Sequence, residues 1–455
     1  MRPCSIGQPA RCGTLWVPVD RLTGRGPKIP IRVVVVPAAG TPRHADPIVY
    51  FDGGPGSSAV DDAEQEIPEL SLDTTRDDVF IDQRGTGASN LTCPELPGLV
   101  PPAMLRSKVA ACVARARGEL AFYSTAMAAD DVAEVLTDLG YQRADLVGAS
   151  YGVTSAQVFL IRHPQMVRTM TLLSGSLLSV PMFEREPQNA QQSLDNVFAE
   201  CEAEPACHRA FPHLAADWQA LWSSISAAPW VVPASLEANH KVGSVDADWV
   251  ASEIHQLLMD ATTQVDLPLA IHLLGTSTDR AATIVAISKA MPPSSSAGES
   301  SAQQLMALVI RCDEAWAADD PAHLIGATSF EYGTDVEAAR WWQEVCSAVP
   351  AAGAAGGSEV LHPSAVPVLA LNGEEDPQDP PANMAGARSL WPDSLELAVP
   401  DQGHDVDANL SGGCVFRLLS SFIASGRAVG LDTSCLKTVP QPPFTLSLSA
   451  LAGSQ

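Results

Sequence analysis

Residues 148–152, Gly148-Ala149-Ser150-Tyr151-Gly152, set a serine between two glycines at G-x-S-x-G spacing, after an apolar run and before a helix-like one. In strand–turn–helix context this is a nucleophile elbow, in which a strained turn holds the serine hydroxyl free above a sheet. Glycines two residues to either side are needed because larger side chains would collide in so tight a bend. The helix that follows points its N-terminal N–H groups at the place where negative charge develops. The chemistry implied is acyl transfer through an activated serine.

A serine hydroxyl becomes an effective nucleophile only when a neighbouring base accepts its proton. Chains with this elbow supply the partners in the order Ser, Asp or Glu, His. Two late turns fit: Leu371-Asn372-Gly373-Glu374-Glu375-Asp376-Pro377 and Pro400-Asp401-Gln402-Gly403-His404-Asp405, each directly after an apolar strand. Of the ten histidines, His404 alone lies in a Gly-containing loop between a late strand and a final helix. His163, His208 and His213 read as surface or structural groups. For the acid, Asp376 is favoured over Glu374, Glu375 and Asp379, since it stands before a proline where the chain must leave the strand. The competing reading is a turn cap. Acyl transfer also needs two N–H donors for the oxyanion. Tyr151 supplies one, and Gly54, in Phe51-Asp52-Gly53-Gly54-Pro55-Gly56, is assigned the other. Read alone, that glycine run is only a turn.

These residues need a scaffold, and the first third of the chain alternates strand and helix patterns. Ile29–Val36, Pro47–Phe51, Asp78–Asp82, Asp145–Ala149 and Val167–Leu173 read as strands, and 130–139 as a helix. Strands that are apolar throughout, separated by helices, imply a mostly parallel sheet covered on both faces. After Ser176 helical patterns dominate and seven tryptophans occur (Trp218, Trp222, Trp230, Trp249, Trp316, Trp341, Trp342). Met291–Ser301 reads as a polar flexible loop and Ala351–Ser358 as an exit linker. The α/β pattern resumes with Val366–Leu371, Leu395–Val399 and a helix near Cys414–Ile423. The expected division is a core over 1–175, a mainly helical cap insertion over 176–358, and the rest of the core, carrying acid and base, over 359–455. Such a cap would lie over the carboxyl ends of the strands, where open α/β sheets bind ligands.

At 455 residues the chain exceeds the usual single core of ~250–300 residues. Its net charge of −26 argues against nucleic acid or an anionic membrane as partner. No apolar run approaches the ~18–20 residues of a membrane span. The ten cysteines form no C-x-x-C and no zinc-finger spacing, so neither a metal nor a cofactor is implied. They fall into local pairs, Cys4/Cys12, Cys93/Cys112, Cys201/Cys207, Cys312/Cys346 and Cys414/Cys435, which suggests disulfides and an oxidising compartment. The alternative is ten reduced, buried thiols in a cytosolic enzyme. Residues 1–4 have no signal-peptide character, so an exported form would have lost its leader before them.

Taken together, DGGPGSS (52–58), DQRGTGAS (82–89), GASYG (148–152), NGEEDPQDPP (372–381) and DQGHDVD (401–407) resemble the proline iminopeptidase and tripeptidyl aminopeptidase branch of the α/β-hydrolases. CGTLWVPVD, CEAEPACHRAFP and the segment from Cys414 to Phe444 extend the resemblance to nearly the whole chain, nearest the secreted, tripeptidyl-aminopeptidase-like members. The resemblance implies an α/β-hydrolase fold with Ser150 as nucleophile, Asp376 as acid, His404 as base, and Gly54 with Tyr151 as oxyanion donors. It favours the local disulfides above, and makes Asp82 and Arg84 structural supports of the oxyanion loop. Glu314, with Asp313 next in line, resembles a cap position that holds a substrate's free ammonium. Two positions depart from the family: Asp52, where many relatives have histidine, and Asp379, where threonine is common.

The expected activity is that of a serine exopeptidase cutting near the free N-terminus of short peptides, releasing one or three residues. A carboxylesterase or other small-molecule hydrolase uses the same scaffold. A non-catalytic binding protein is the remote alternative. A short peptide or small ester or amide is the expected partner, with a monomer favoured and a secreted or periplasmic location.

Overall fold

The protein is described from a computed structural model. It describes all residues except 67–70, 90, 92, 94–101, 117–118, 233–243, 291–300, 315–319, 350–358, 407–412 and 452–455. The expected polar loop before Ser301 and the expected exit linker therefore lie outside the described residues.

The strands are β1 (Arg2–Ser5), β2 (Pro9–Asp20), β3 (Arg25–Val36), β4 (Ile48–Phe51), β5 (Asp78–Ile81), β6 (Ala144–Ala149), β7 (Val167–Leu173), β8 (Trp230–Val231), β9 (Ser244–Val245), β10 (Val368–Gly373) and β11 (Ser394–Val399). All but β8 and β9 join one nine-stranded sheet, ordered β1-β2-β3-β5-β4-β6-β7-β10-β11. From β5 to β11 every pairing is parallel; β1, β2 and β3 extend one side antiparallel. β1 and β2 are the strands of this sheet that sequence patterning does not announce. Pro9 opens β2 and Pro18 interrupts it, and proline weakens any strand signal because it cannot donate to a ladder. The disulfide Cys4–Cys12 ties these two strands together.

The core helices are α1 (Ala59–Glu66), α2 (Pro102–Ala116), α3 (Thr125–Leu139) and α4 (Tyr151–Arg162). The insertion carries α5 (Met182–Ala203), α6 (Pro205–Ala210), α7 (Leu214–Ala227), α8 (Ala247–Leu258), α9 (Ala261–Gln264), α10 (Leu267–Thr276), α11 (Arg280–Ala290), α12 (Ser301–Asp313) and α13 (Tyr332–Cys346). After it come α14 (Ala387–Leu390), α15 (Cys414–Ser425) and α16 (Leu448–Leu451). Side chains alternate across a strand, so both faces of the sheet need cover. Val49, Leu146, Met170 and Ala370 pack with α3 and α4 on one face. Ile48, Val147, Leu173 and Leu371 pack with Leu418, Leu419 and Phe422 of α15 on the other. This two-sided burial explains why β6 and β10 read as unbroken apolar runs.

The insertion has two apolar centres. One gathers Leu194, Trp218, Leu221, Leu258 and Ile271 from α5, α7, α8 and α10. The other joins Leu305, Met306 and Val309 of α12 and Val345 of α13 to Leu120, Tyr123 and Tyr151 of the core. The C-terminal stretch, expected with the second half of the core, sends Phe444 and Leu451 into the first of these centres, and Thr445 donates its N–H to Val265 O at 3.1 Å.

The remaining cysteines pair as Cys93–Cys112, Cys201–Cys207, Cys312–Cys346 and Cys414–Cys435, leaving no free thiol. Five disulfides fit an oxidising compartment. Among the described residues no helix is long and apolar enough to cross a membrane, and no cluster of three or more His, Cys, Asp or Glu could hold a metal ion.

Candidate active site

Strand β6 ends at Ala149 and α4 begins at Tyr151, so the chain reverses at Ser150, with φ 53° and ψ −125°. Positive φ is strained for any residue with a Cβ, and its cost is tolerated where the surroundings over-determine the turn. Here the Ser150 N–H donates to Leu173 O at 2.9 Å. A Cβ on Gly148 would meet the Gly152 carbonyl, and one on Gly152 would meet the Phe51 carbonyl. Both glycines of the motif are therefore positions of close backbone approach.

The turns after β10 and β11 bring Asp376 and His404 to this serine. His404 Nε2 lies 3.0 Å from Ser150 Oγ, and His404 Nδ1 lies 2.9 Å from Asp376 Oδ2. A carboxylate only accepts, so Nδ1 carries a proton, and in the neutral imidazole Nε2 presents its lone pair to the serine hydroxyl. The other Asp376 oxygen accepts the N–H groups of Gln378 and Asp379 at 2.9 and 2.8 Å. Asp376 is fully buried and His404 is 7% exposed.

Asp379, the second departure from the family pattern, lies in the same place. Its Oδ1 accepts the Ser176 hydroxyl at 2.5 Å, and its Oδ2 lies 3.9 Å from His404 Nδ1. Burial, then the neighbouring Asp376 charge, raises its pKa to about 6. Burial by itself would lower the His404 pKa, but the charges of Asp376, Asp379 and Asp405 outweigh it and hold the imidazole above its ordinary value.

The insertion grips both turns. Asn189, Ser193 and Asn196 lie on one face of α5 and donate to the carbonyls of Gln378, Glu375 and Glu374. Gln264 of α9 donates to Asp401 O at 3.2 Å, and Asp405 N–H donates to Met259 O at 3.0 Å. The spacing 189, 193, 196 is legible as one helix face; what that face would hold is not. Below the site, Asp82 accepts Arg32 Nε at 2.6 Å and the Ser58 hydroxyl at 2.7 Å, and Arg84 pairs with Asp131 at 2.7 Å. Asp82 thereby anchors the segment just after the Gly-rich loop.

Gly54 (φ 106°) and Tyr151 line a cavity of about 180 Å³ that opens at Ser150. Its apolar wall includes Leu177, Leu178, Met182 and Trp342, and its charged groups are Asp379 and Arg311. The Arg311 guanidinium lies 3.6 Å from the centre of the Phe183 ring and 4.4 Å from that of Trp342. The first departure, Asp52, accepts the Gly53 N–H at 2.7 Å and so braces the glycine loop.

Glu314 and Asp313 are not among the cavity residues. Glu314 follows the last turn of α12 and faces the start of α3, where its oxygens accept the Thr125 N–H and hydroxyl at 2.6 and 2.8 Å. A helix N-terminus attracts a carboxylate through its unpaired N–H groups. Burial raises the Glu314 pKa to about 7 despite these bonds.

Two family models match the chain: the alpha/beta hydrolase fold over residues 46–250, and TAP-like protein over residues 334–435. The chain has the α/β-hydrolase fold with a TAP-like segment, and is a serine hydrolase by class. No curated protein matches it by sequence. Among solved structures it is similar to a proline iminopeptidase of Mycobacterium smegmatis, at 15% identity over 91% of this chain and 98% of that one, with TM-score 0.44. A proline iminopeptidase-related protein of Thermus thermophilus is 16% identical over 91% and 99%, with TM-score 0.40. A thermophilic esterase of Thermogutta terrifontis is 14% identical over 91% and 100%, with TM-score 0.38.

Proposed function

We propose that the protein is a serine exopeptidase that hydrolyses peptide bonds near the free N-terminus of short peptides. The observation that carries this reading is the line Ser150–His404–Asp376, hydrogen-bonded at 3.0 and 2.9 Å on an elbow beneath a helical insertion. Ser150 Oγ attacks the scissile carbonyl while His404 Nε2 takes its proton, and Asp376 holds the imidazole by its Nδ1–H. The N–H groups of Gly54 and Tyr151 bind the oxyanion. The intermediate collapses as the C–N bond breaks, and His404 returns the proton to the leaving amine. A water then gives its proton to His404 and its hydroxide to the acyl carbon; the bond from that carbon to Ser150 Oγ breaks, His404 returns the proton to Oγ, and the carboxylic acid leaves.

The preference for chain ends draws on the TAP-like match over 334–435. It also draws on the cavity, whose volume of about 180 Å³ is only modestly above the ~150 Å³ apolar cavity that takes one benzene. One side chain of moderate size fits beside the scissile bond, and a folded protein does not. The enzyme acts as a monomer outside the cytoplasm, where its five disulfides persist.

A fluorophosphonate probe is expected to label Ser150, and Ser150→Ala to abolish turnover with unfolding behaviour unchanged. Anilides of single amino acids and tripeptides with a free amine should be cleaved faster than their N-acetylated forms. Cleavage of short acyl esters alone would reject the peptidase, and a Ser150→Ala variant with full activity would reject the nucleophile.

A further inference from the structure

A directed chain of hydrogen bonds runs from the core to the end of α12. The Gln83 side-chain amide donates to the Tyr151 hydroxyl at 2.9 Å, and the Tyr151 and Thr125 hydroxyls lie 2.5 Å apart. The Thr125 hydroxyl gives its one proton to Glu314 at 2.8 Å, and the Thr125 N–H binds the other carboxylate oxygen at 2.6 Å. Because a carboxylate only accepts, Thr125 has no proton left for Tyr151; the tyrosine hydroxyl must donate to it. With Glu314 ionised, the Tyr151 oxygen then accepts from Gln83, and the chain points one way, ending on the carboxylate. Thr125 and Tyr151 are 2% and 5% exposed. The Tyr151 ring also packs in the cluster formed by Leu305, Met306 and Leu308 of α12. Its side chain is thus fixed by α12 through both apolar and polar contacts.

Tyr151 is the first residue of α4, next to Ser150, and its N–H is one of the two oxyanion donors in the reading above. We propose that Glu314 is a positioning residue: from the end of α12 it orients Tyr151, and so the oxyanion donor beside Ser150, through Thr125. The inference rests on the serine-hydrolase reading, and it differs from a role for Glu314 in holding substrate ammonium. Glu314→Gln keeps the shape but offers Thr125 Oγ an N–H in place of an acceptor, which reverses the chain and leaves the Tyr151 proton without Thr125 as its acceptor. Removing an oxyanion donor outright costs roughly 10²–10³ in kcat, so misaiming one should cost about 10-fold or more.

The test uses the full chain with Glu314→Gln, Thr125→Val, Tyr151→Phe and the double variant Glu314→Gln/Tyr151→Phe. It measures kcat and KM on a free-amine anilide and the rate of fluorophosphonate labelling, a reaction that uses the oxyanion donors but involves no ammonium. Expected are a fall of about 10-fold or more in both kcat and labelling rate for Glu314→Gln, with KM within about two-fold, the same pattern for Thr125→Val, and no further loss when Glu314→Gln is added to Tyr151→Phe. A raised KM with an unchanged labelling rate makes Glu314 an ammonium ligand and overturns the proposal. So does a folded Glu314→Gln variant with unaltered kcat. If Glu314→Gln fails to fold, Thr125→Val decides on the same readouts. Wild-type protein that is not labelled at Ser150 sinks the hydrolase reading and this inference with it; labelled wild type with insensitive variants sinks this inference alone.

Discussion

The Asp379 carboxylate lies 3.9 Å from Nδ1 of His404, the same nitrogen that Asp376 contacts at 2.9 Å. Two buried carboxylates thus face one imidazole, with Asp405 adding a third negative charge nearby. The protonated imidazole is favoured, whereas the base must be neutral to accept the serine proton. Activity should therefore rise with pH through a midpoint above the ordinary histidine value of about 6.5. Asp379→Asn removes one charge and lowers the His404 pKa, so the acidic limb of the kcat/KM profile moves toward lower pH. A limb that stays in place, or moves toward higher pH, would show that Asp379 does not tune the base.

Stability should run the other way with pH. Burial raises the pKa of Asp78 and of Glu314 to about 7 and that of Asp335 to about 8. Glu375 is raised strongly by burial and by its hydrogen bond to Glu200. Burial would lower the pKa of His255, but Glu331 at 2.8 Å outweighs it and lifts the value to about 9. A group with a raised folded pKa contributes stability that is complete below its unfolded pKa and is lost as pH rises through the folded one. For the carboxyls the loss begins above about 4, and for His255 above about 6.5. Tm should be highest near pH 5 and fall toward pH 9; a Tm at pH 9 equal to that at pH 5 would contradict these assignments.

Ser193 of α5 donates to the carbonyl of Glu375, the residue before Asp376. Ser193→Ala leaves a carbonyl beside the acid without that donor, at a cost of about 1–3 kcal/mol. The Asp376 turn loosens with it, so kcat falls. Glu202→Ala, on an exposed position of the same helix, changes stability by less than about 0.5 kcal/mol. Chemical denaturation and steady-state kinetics on both variants check the pair, and equal effects would mean that α5 does not act through this turn.

The Cys312–Cys346 disulfide ties the end of α12 to the end of α13 across 34 residues of sequence. Replacing both with serine should cost about 2–4 kcal/mol on unfolding. Since α12 leads directly into Glu314, kcat should fall as well, while Ser150→Ala leaves stability unchanged. A double Cys→Ser variant with wild-type kcat would separate the clamp from the site.

By itself the sequence determined the framework and named the candidate site residues. Sheet strands from β3 onward are short-range patterns of apolar residues, and the elbow, the Asp376 turn and the His404 turn are written in contiguous residues. Local chain geometry demands glycine, proline or a turn at such places, so the three side chains that meet at Ser150 could be named from spacing and order. Only the tertiary structure decided what surrounds them. Thr125 and Glu314 are 189 residues apart, and Ser193 and Glu375 are 182 apart. A single hydrogen bond between such distant groups leaves no periodic trace in either segment. For the same reason the contact of Glu314, after α12, with Thr125 at the start of α3 has no trace in the sequence. The insertion that the chain announced as a roof also holds the acid turn, the base turn and the residue beside the nucleophile.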